Sequence, residues 1–199
     1  LALLGWSYNE TEEIFRREDL VNKFSLEKIN PTNPIFDRTK LDWINGLYIR
    51  RLPPEELGEK LKSFNEKWGK VNPETLRLVL PLVRDRIKSL AEFEPMAGFF
   101  FSESVGQPVG LLPNGEAERT LLKPQMDESF KALAELKAWC EPEIEAAIRK
   151  LSLDNDWKHG QYFMALRLVI TGQKISPPLF STMAILGREK TLLRLKAVS

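Results

Sequence analysis

The sequence contains few of the side chains that enzymes use for chemistry. It has one cysteine, Cys140, and one histidine, His159. A lone cysteine excludes an internal disulfide and is typical of a reducing compartment such as the cytoplasm, and a lone histidine excludes sites built from several histidines. The two could form a nucleophile and its base, but no motif supports that pair. We predict no catalytic residue and no metal site, and interpret Cys140 as a small buried hydrophobic residue.

Three other absences restrict the class of protein. No apolar run approaches the length of a membrane span and no signal peptide is visible, which predicts a soluble protein with no membrane partner. No glycine-rich loop of the kind that cradles phosphates occurs. No charge of one sign dominates, since 29 Lys and Arg stand against 28 Asp and Glu, for a formal net charge of +1. Any contact with a polyanion must therefore come from a local patch of cations.

A helical pattern is what the chain does contain. Its 199 residues, of which 43% are hydrophobic and 29% charged, can bury one sizeable core or two small ones. Apolar residues recur at helical spacing, and prolines stand where helices begin, as in Pro54-Glu55-Glu56 and Asn72-Pro73-Glu74. The sequence therefore predicts an all-α fold.

The expected helices follow from their capping and breaking residues. A first helix should end at Gly5, and a second is predicted over Glu12–Phe24. The next helices should begin after Asp37 as N-cap, at Pro54, and at Asn72, where Pro81 should cause a kink or a restart. Further helices are predicted from Asp127, from Pro142, from Asp154 or Asn155 as N-cap to Thr171, from Ser176-Pro177 as N-cap and first residue, and over Arg188–Ala197. Glycines such as Gly172 and Gly187 are expected to end the helices before them.

Regular periodicity is missing between residues 94 and 124. We interpret this span as a long connection, with a short hairpin around Asn114-Gly115 as one arrangement within it. The triplet Phe99-Phe100-Phe101 allows two interpretations, a stacking platform for bases or a plug at the junction of two helical subdomains. Three consecutive rings point in several directions, which favours the plug.

The stretch Phe36–Arg50 forms an amphipathic helix with two different faces. One face carries Leu41, Ile44 and Tyr48 and is expected to pack into a core. The other face carries Lys40, Trp43, Leu47 and Arg50. Two cations around an exposed indole suit a polyanion, because Lys and Arg neutralise phosphates. Periodicity alone slightly favours an ordinary surface helix with a half-buried tryptophan.

The amino-acid sequence of this stretch resembles that of a known family. Lys-Leu-Asp-Trp-Ile-Asn-Gly-Leu-Tyr-Ile-Arg, residues 40–50, is similar to the stem-contact segment of glutamyl-tRNA synthetases, class I enzymes that charge tRNA with glutamate. In that family the segment touches the inner arm of the tRNA. The resemblance implies phosphate or sugar contacts for Lys40, Trp43 and Arg50.

A second block resembles the same family further along the chain. Arg86-Ile87-Lys88-Ser89-Leu90 is similar to an Arg-x-Lys-Thr-Leu element whose arginine reads the third anticodon base. The resemblance assigns that role to Arg86, with Arg84 as a secondary neighbour. Three cations among residues 84–88 are otherwise typical of a solvated face.

A third block matches the end of bacterial-type members. It consists of residues 166–172, 176–180 and 185–190. In the family these strings surround the anticodon bases, which implies anticodon contacts for a set within them: Arg167, Ser176, Pro177, Leu179 and Phe180. One departure is Pro178, where the family usually has glycine. Proline lacks a backbone N–H, so a contact through that donor is in doubt.

The resemblance covers nearly the whole chain and implies its organisation. Residues 1–53 would form the stem-contact region, 54–98 a first helical anticodon-binding subdomain and 99–199 a second. The expected function is recognition of tRNA(Glu) as the C-terminal part of a cytoplasmic, monomeric glutamate–tRNA ligase. Neither the ATP-binding lysine loop nor the His-Ile-Gly-His type motif is present, so ATP and Mg would act in a separate catalytic domain. The start at Leu1 rather than Met predicts a piece of a longer protein that is inactive alone.

An alternative from another class is a helical protein-interaction module. Its apolar helix faces would dock partners, and it would have no affinity for tRNA. A tRNA gel shift separates this alternative from the expectation of tRNA binding.

Overall fold

Helices form the regular structure of the chain. The computed structural model describes residues 3, 5–9, 12–30, 35–105 and 116–197. Within those ranges there is no β-sheet, and an isolated bridge pairs Trp6 with Ile29. The all-α fold is confirmed. None of the helices within the described ranges is both long enough and apolar enough to cross a membrane.

The α-helices follow one another with short connections. They are α1 (Arg17–Lys23), α2 (Arg38–Arg51), α3 (Pro54–Phe64), α4 (Pro73–Arg84), α5 (Phe93–Ala97), α6 (Glu116–Ala134), α7 (Glu141–Asp154), α8 (His159–Thr171), α9 (Leu179–Leu186) and α10 (Arg188–Lys196). Short 3-10 helices lie at Leu26–Lys28, Glu66–Gly69, Leu90–Glu92 and Gly98–Phe101.

Several helix ends use the predicted capping residues. The Asp37 carboxylate accepts from the backbone N–H of Lys40 at 3.1 Å, and the Asn72 side chain accepts from Thr75 at 2.9 Å. Each bond satisfies a donor that would otherwise have no partner in the first turn. At the other end of a helix, Gly172 adopts the left-handed conformation with φ 70° and stops α8.

The first helix is shorter than expected. It begins at Arg17 rather than at Glu12, because Asp19 accepts a hydrogen bond from the backbone N–H of Arg16 at 3.3 Å and sets the start. The residues before it lie outside the helix and bury Phe15 edge to face against Trp6, with ring centroids 6.0 Å apart. Most of the run before Gly5 lies outside the described residues.

Helix α2 buries a face other than the predicted one. Leu41 and Tyr48 are 43% and 44% exposed, whereas Gly46 and Ile49 are buried. The physical reason is a close crossing: the Asn45 amide donates to the carbonyl of Lys88, and a Cβ on Gly46 would lie 3.5 Å from the Lys88 Cα. The helix therefore rests on the chain at residue 88 through its small residues.

Two prolines lie inside helices where sequence reasoning expected breaks. α4 continues through Pro81, which is exposed, so the carbonyl that loses its donor there can face water. α6 starts at Glu116 and includes Pro124, which shortens the predicted connection and moves the helix start away from Asp127. The hairpin predicted at Asn114-Gly115 lies outside the described residues.

The turn between α7 and α8 also differs from expectation. α7 runs to Asp154, and α8 begins at His159 without a side-chain cap, so neither Asp154 nor Asn155 caps it. Trp157 is drawn inward instead: its backbone N–H donates to the Ser152 carbonyl at 2.9 Å, and its ring lies 4.8 Å from that of Tyr162.

The exposure of the Cys140 side chain differs from what the sequence predicts. Cys140 is exposed, at the residue before α7, rather than buried. No cluster of His, Cys, Asp or Glu among the described residues could hold a metal ion.

One hydrophobic cluster runs from α2 to α10. α3 packs on α4, α4 on α5 and α9, and α6 on α7 and α10. Phe99 and Phe100 are buried in this cluster and stack at 4.4 Å. They therefore fill the core rather than offer faces to a ligand, as the plug interpretation predicted. The subdomain boundaries at 53 and 98 stay predictions.

A buried arginine ties the last helix to this core. Arg194 of α10 is 3% exposed and donates to three carbonyls, those of Ile170, of Phe99 at 2.6 Å and of Ser102 at 2.8 Å. Burial lowers the pKa of Arg194 to about 10, which still leaves the guanidinium charged at neutral pH. Its hydrogen bonds join the end of α8 to the Gly98–Phe101 turn.

We expect Arg194→Ala to lower the free energy of unfolding by about 3 kcal/mol or more, because three buried carbonyls lose their donor. Urea unfolding measures the change. Arg77→Ala is the control, since Arg77 is exposed and pairs only with Glu74 of its own helix, and it should leave stability near that of the parent. Equal, small effects of the two substitutions would contradict a stapling role for Arg194.

Candidate nucleic-acid interface

The segment after α4 turns two cations outward. α4 ends at Arg84, and the backbone N–H groups of Arg86 and Ile87 both donate to the Val83 carbonyl, at 2.8 and 3.2 Å. The Ile87 side chain is fully buried, while Arg86 and Lys88 on either side are exposed. Arg86 thus lies in a turn anchored by Ile87, beyond the end of α4.

Arg167 is held in place by the turn that follows α8. Its Nη1 donates to the hydroxyl of Ser176, to the Ser176 carbonyl at 3.2 Å and to the Pro177 carbonyl at 3.0 Å. The other guanidinium nitrogens form no hydrogen bond with the described residues. Arg167 is therefore anchored through one nitrogen and keeps donors for another partner.

The turn at Ser176 does not begin a helix. α9 starts at Leu179 with Pro178 as its N-cap residue, so the prediction of Ser176 as N-cap and Pro177 as first helical residue is wrong. Both are buried, and the Ser176 hydroxyl is engaged by Arg167. Ser176 and Pro177 thus position Arg167 by accepting its hydrogen bonds from the buried side of the turn. Pro178 disfavours the helical conformation at Pro177, so the helix begins only after Pro178.

The two hydrophobic residues assigned to base contact have different surroundings. Leu179 is 5% exposed and belongs to the hydrophobic cluster, whereas Phe180 is half-buried at its edge. Of this pair, Phe180 is the side chain that a base could reach. This agrees with the expectation that one of the two belongs to the core.

The positive charge of Arg86 acts on Arg167, although the two residues are predicted from separate blocks of sequence. Burial, and then the positive charge of Arg86, lower the pKa of Arg167. Neither guanidinium forms an ion pair with a carboxylate in the part of the chain that the structure describes. Two neighbouring cations without a counter-charge create a local positive potential that favours an anion.

A second pair of cations lies where α2 crosses residue 88. A Cβ on Gly46 would lie 3.2 Å from Nη1 of Arg50 and 3.5 Å from Cγ of Lys88, so both side chains surround the same point. Arg50 forms no ion pair with any described residue. The absence of a side chain at Gly46 allows this approach.

The remaining stem-contact candidates lie towards the start of α2. Trp43 is 46% exposed. Lys40 is exposed too, but its ammonium forms an ion pair with the carboxylate of Glu13. A phosphate at Lys40 would have to displace Glu13, whereas one at Arg50 would meet an unpaired guanidinium.

These cations form one surface, the basic strip, which consists of Arg50, Lys88, Arg86 and Arg167. Residues 86–88 connect the α2 end of the strip to the α8 end. Sequence reasoning missed Lys88, although the cluster of cations at residues 84–88 contained the signal. Arg84 does not belong to the strip, since it donates to Asp85 at 3.3 Å and to the Leu52 carbonyl at 3.4 Å.

The chain is similar to glutamate–tRNA ligases and to a domain family. A family model described as "Anticodon binding domain" matches residues 56–199. Glutamate–tRNA ligase of Dehalococcoides mccartyi is 35% identical, over 98% of this chain and 42% of that protein. The enzyme of the same name from Roseiflexus castenholzii is 36% identical, over 99% of this chain and 40% of that protein. The chain thus spans about two fifths of the length of these curated relatives.

A solved structure shares the fold. The crystal structure of a glutamate tRNA ligase from Elizabethkingia meningosepticum superposes with a TM-score of 0.80 at 23% identity, over 99% of this chain and 39% of that one. The corresponding protein of Elizabethkingia anophelis gives 0.78 at the same 23% identity.

We expect Arg86→Gln to stabilise the free protein slightly at low ionic strength. Removing one of two neighbouring like charges relieves a repulsion worth roughly a few tenths of a kcal/mol, and added salt should erase the difference because it screens that repulsion. Thermal unfolding of both proteins at low and high ionic strength measures the effect. A loss of stability at both ionic strengths would instead indicate a structural role for Arg86.

Proposed function

Because the chain belongs to the anticodon-binding domain family, we propose that it recognises tRNA(Glu), with α2 on the inner arm of the tRNA and the Arg86–Arg167 pair at the anticodon. The curated relatives are glutamate–tRNA ligases of which the chain covers about two fifths. Recognition would therefore serve the glutamylation of tRNA by a ligase of that kind.

The observation that carries the proposal is the orientation of Arg167 by the Ser176-Pro177 turn, with the positive charge of Arg86 acting on the same guanidinium. Each guanidinium is free of carboxylates among the described residues, and Arg167 is oriented by the buried Ser176-Pro177 turn. A planar guanidinium held in one orientation is suited to the edge of a base. Anticodon bases are accessible to such groups because they lie in a single-stranded loop.

The two ends of the basic strip would have different roles: one would position the tRNA, and the other would identify its anticodon. At the α2 end, Arg50 and Lys88 would contact phosphates, and Trp43 would lie against a ribose. Phosphate contacts fix the register of an RNA without reading its sequence. At the α8 end, Arg86 would read the third anticodon base, while Arg167 and Phe180 would contact the others. Lys40 would join the inner-arm contact after releasing Glu13.

Catalysis is assigned to residues outside this chain. The sequence lacks the ATP-binding motifs of the glutamyl-tRNA synthetases, so ATP and Mg would act in a separate catalytic domain. We further propose that the protein is a cytoplasmic monomer, in keeping with its single cysteine. The family match does not favour a protein-interaction module without tRNA binding.

Arg86→Gln should relax the choice of the third anticodon base. A base-edge contact of this kind contributes about 1–3 kcal/mol of discrimination, and the substitution removes it. Binding of four tRNA(Glu) variants, one for each base at that position, measures the ratio of dissociation constants. An equal loss of affinity for all four variants would contradict the assignment and indicate a phosphate contact.

Arg50→Ala should weaken tRNA binding without changing anticodon preference. If Arg50 neutralises one phosphate, the slope of log K against log salt should become shallower by roughly one. A titration of binding over a range of salt concentrations provides the slope. Arg77→Ala, which removes an exposed arginine paired with Glu74, should leave it unchanged. An unaltered slope for Arg50→Ala would rule out the phosphate contact.

A further inference from the structure

A groove with an apolar floor lies between α3 and α4. Its volume is about 450 Å³, which falls within the range of ligand pockets, roughly 300–1,000 Å³. Apolar side chains of α3, of the short helix after it and of α4 form its floor and walls: Pro54, Trp68, Val71, Pro73, Leu76 and Leu80. We call this cavity the α3–α4 groove. The basic strip contributes no residue to its lining.

The floor of the groove belongs to the packed core. Trp68, Leu76 and Leu80 are at most 4% exposed and are part of the hydrophobic cluster. On the α3 side, Gly58 lines the groove, and a Cβ there would lie 3.3 Å from Cδ1 of Leu80. The two helices are therefore fitted closely at this point. Because close-packed side chains hold the floor in place, the groove keeps its shape without a ligand.

The two cations on the rim of the groove are already neutralised. Lys62 and Arg77 line it. The ammonium of Lys62 lies 2.7 Å from the carboxylate of Glu59, and the guanidinium of Arg77 lies 2.7 Å from that of Glu74. Each pair is formed within one helix. Neither cation is thus available to an anionic ligand.

One carboxylate on the same rim has no ion pair. Glu55 and Glu56 both line the groove, and Glu56 pairs with Lys60 at 3.7 Å. Glu55 forms no ion pair with a described residue. Its charge acts on Arg77, whose pKa is raised chiefly by the hydrogen bond to Glu74 and to a lesser degree by Glu55.

The rim therefore carries a net negative charge. Four carboxylates stand against three cations, counting the lining residues and their ion-pair partners: Glu55, Glu56, Glu59 and Glu74 against Lys60, Lys62 and Arg77. An excess of carboxylate repels RNA phosphates and attracts cations. An apolar floor inside a charged rim is typical of a surface that binds protein. The groove thus differs from the basic strip in the class of partner that it suits.

We propose that the α3–α4 groove binds a segment of another protein in which large apolar side chains are flanked by Lys or Arg. The apolar side chains would lie against Trp68, Leu76 and Leu80. A flanking cation would pair with Glu55, and a second would replace Lys62 at Glu59, which is four residues further along the same face of α3. Exposed ion pairs contribute little to stability, so that exchange costs little. This inference goes beyond tRNA recognition and does not depend on it.

The test uses the full, isotope-labelled chain and the capped hexapeptide Lys-Ala-Leu-Leu-Ala-Lys. We expect the peptide to shift the NMR signals of the Gly58 and Gly69 amides, because both residues line the groove. The same peptide with Glu in place of both lysines, or with Ala in place of both leucines, should shift neither signal. Glu55→Lys should weaken binding of the first peptide roughly fivefold, because an attraction becomes a repulsion.

Glu143→Lys is the matched control. Glu143, like Glu55, is an exposed carboxylate in the first turn of a helix, follows a proline and forms no ion pair with a described residue. This variant should bind the peptide like the parent.

Three outcomes would overturn the proposal while leaving tRNA recognition by the basic strip intact. The first is the absence of shifts at Gly58 and Gly69 with the basic, leucine-containing peptide. The second is an equal response to all three peptides, or an affinity that Glu55→Lys leaves unchanged or that Glu143→Lys lowers as much. The third is displacement of the peptide by an RNA hairpin of the tRNA(Glu) anticodon stem and loop, which would assign the groove to RNA.

Discussion

The geometry of the interface depends on the buried hydrogen bonds of Arg194. Its guanidinium joins the carbonyl of Ile170, near the end of α8, to those of Phe99 and Ser102. Arg167 lies in α8, the helix that ends near Ile170. The chain that follows Arg86 passes through the buried Phe93 and then reaches Phe99 and Ser102. Leaving a buried carbonyl without a donor costs more free energy than a hydrogen bond contributes net to stability. The three acceptors and their donor are therefore held together. The relative positions of Arg86 and Arg167 follow.

The interface contains two cations, Arg86 and Arg167, that no carboxylate of the described residues neutralises. Arg167 is partly desolvated and faces Arg86, and both effects disfavour its charged form. The Ser176-Pro177 turn offsets this with one hydroxyl and two carbonyl oxygens. Elsewhere on the surface, exposed cations such as Lys60, Lys62 and Arg77 have carboxylates of their own helix as partners. Arg86 and Arg167, like Arg50, have no such partner among the described residues, so their charges stay available to a ligand.

The contact between α2 and the chain at Lys88 determines how far the candidate interface extends. Asn45 and Gly46 bring the helix onto the backbone of Lys88, and this contact places Arg50 next to the segment that carries Arg86. One rigid surface can then span an inner-arm contact and an anticodon contact. A surface of fixed shape suits a folded RNA, whose own geometry is part of what is recognised.

The resemblance to a known family identified the motifs around Arg50, Arg86 and Arg167, whereas local chemistry allowed the sequence by itself to determine the helical class and caps such as Asp37 and Asn72. These features depend on neighbours within a few residues, which the sequence displays directly. Only the tertiary structure decided the buried face of α2, the turn at Ser176, the exposure of Cys140 and the meeting of Arg86 with Arg167. Each of these depends on contacts between residues distant in sequence. Helical spacing shows that Leu41 and Tyr48 share a face, but packing against Lys88 decides that Gly46 and Ile49 are the residues buried.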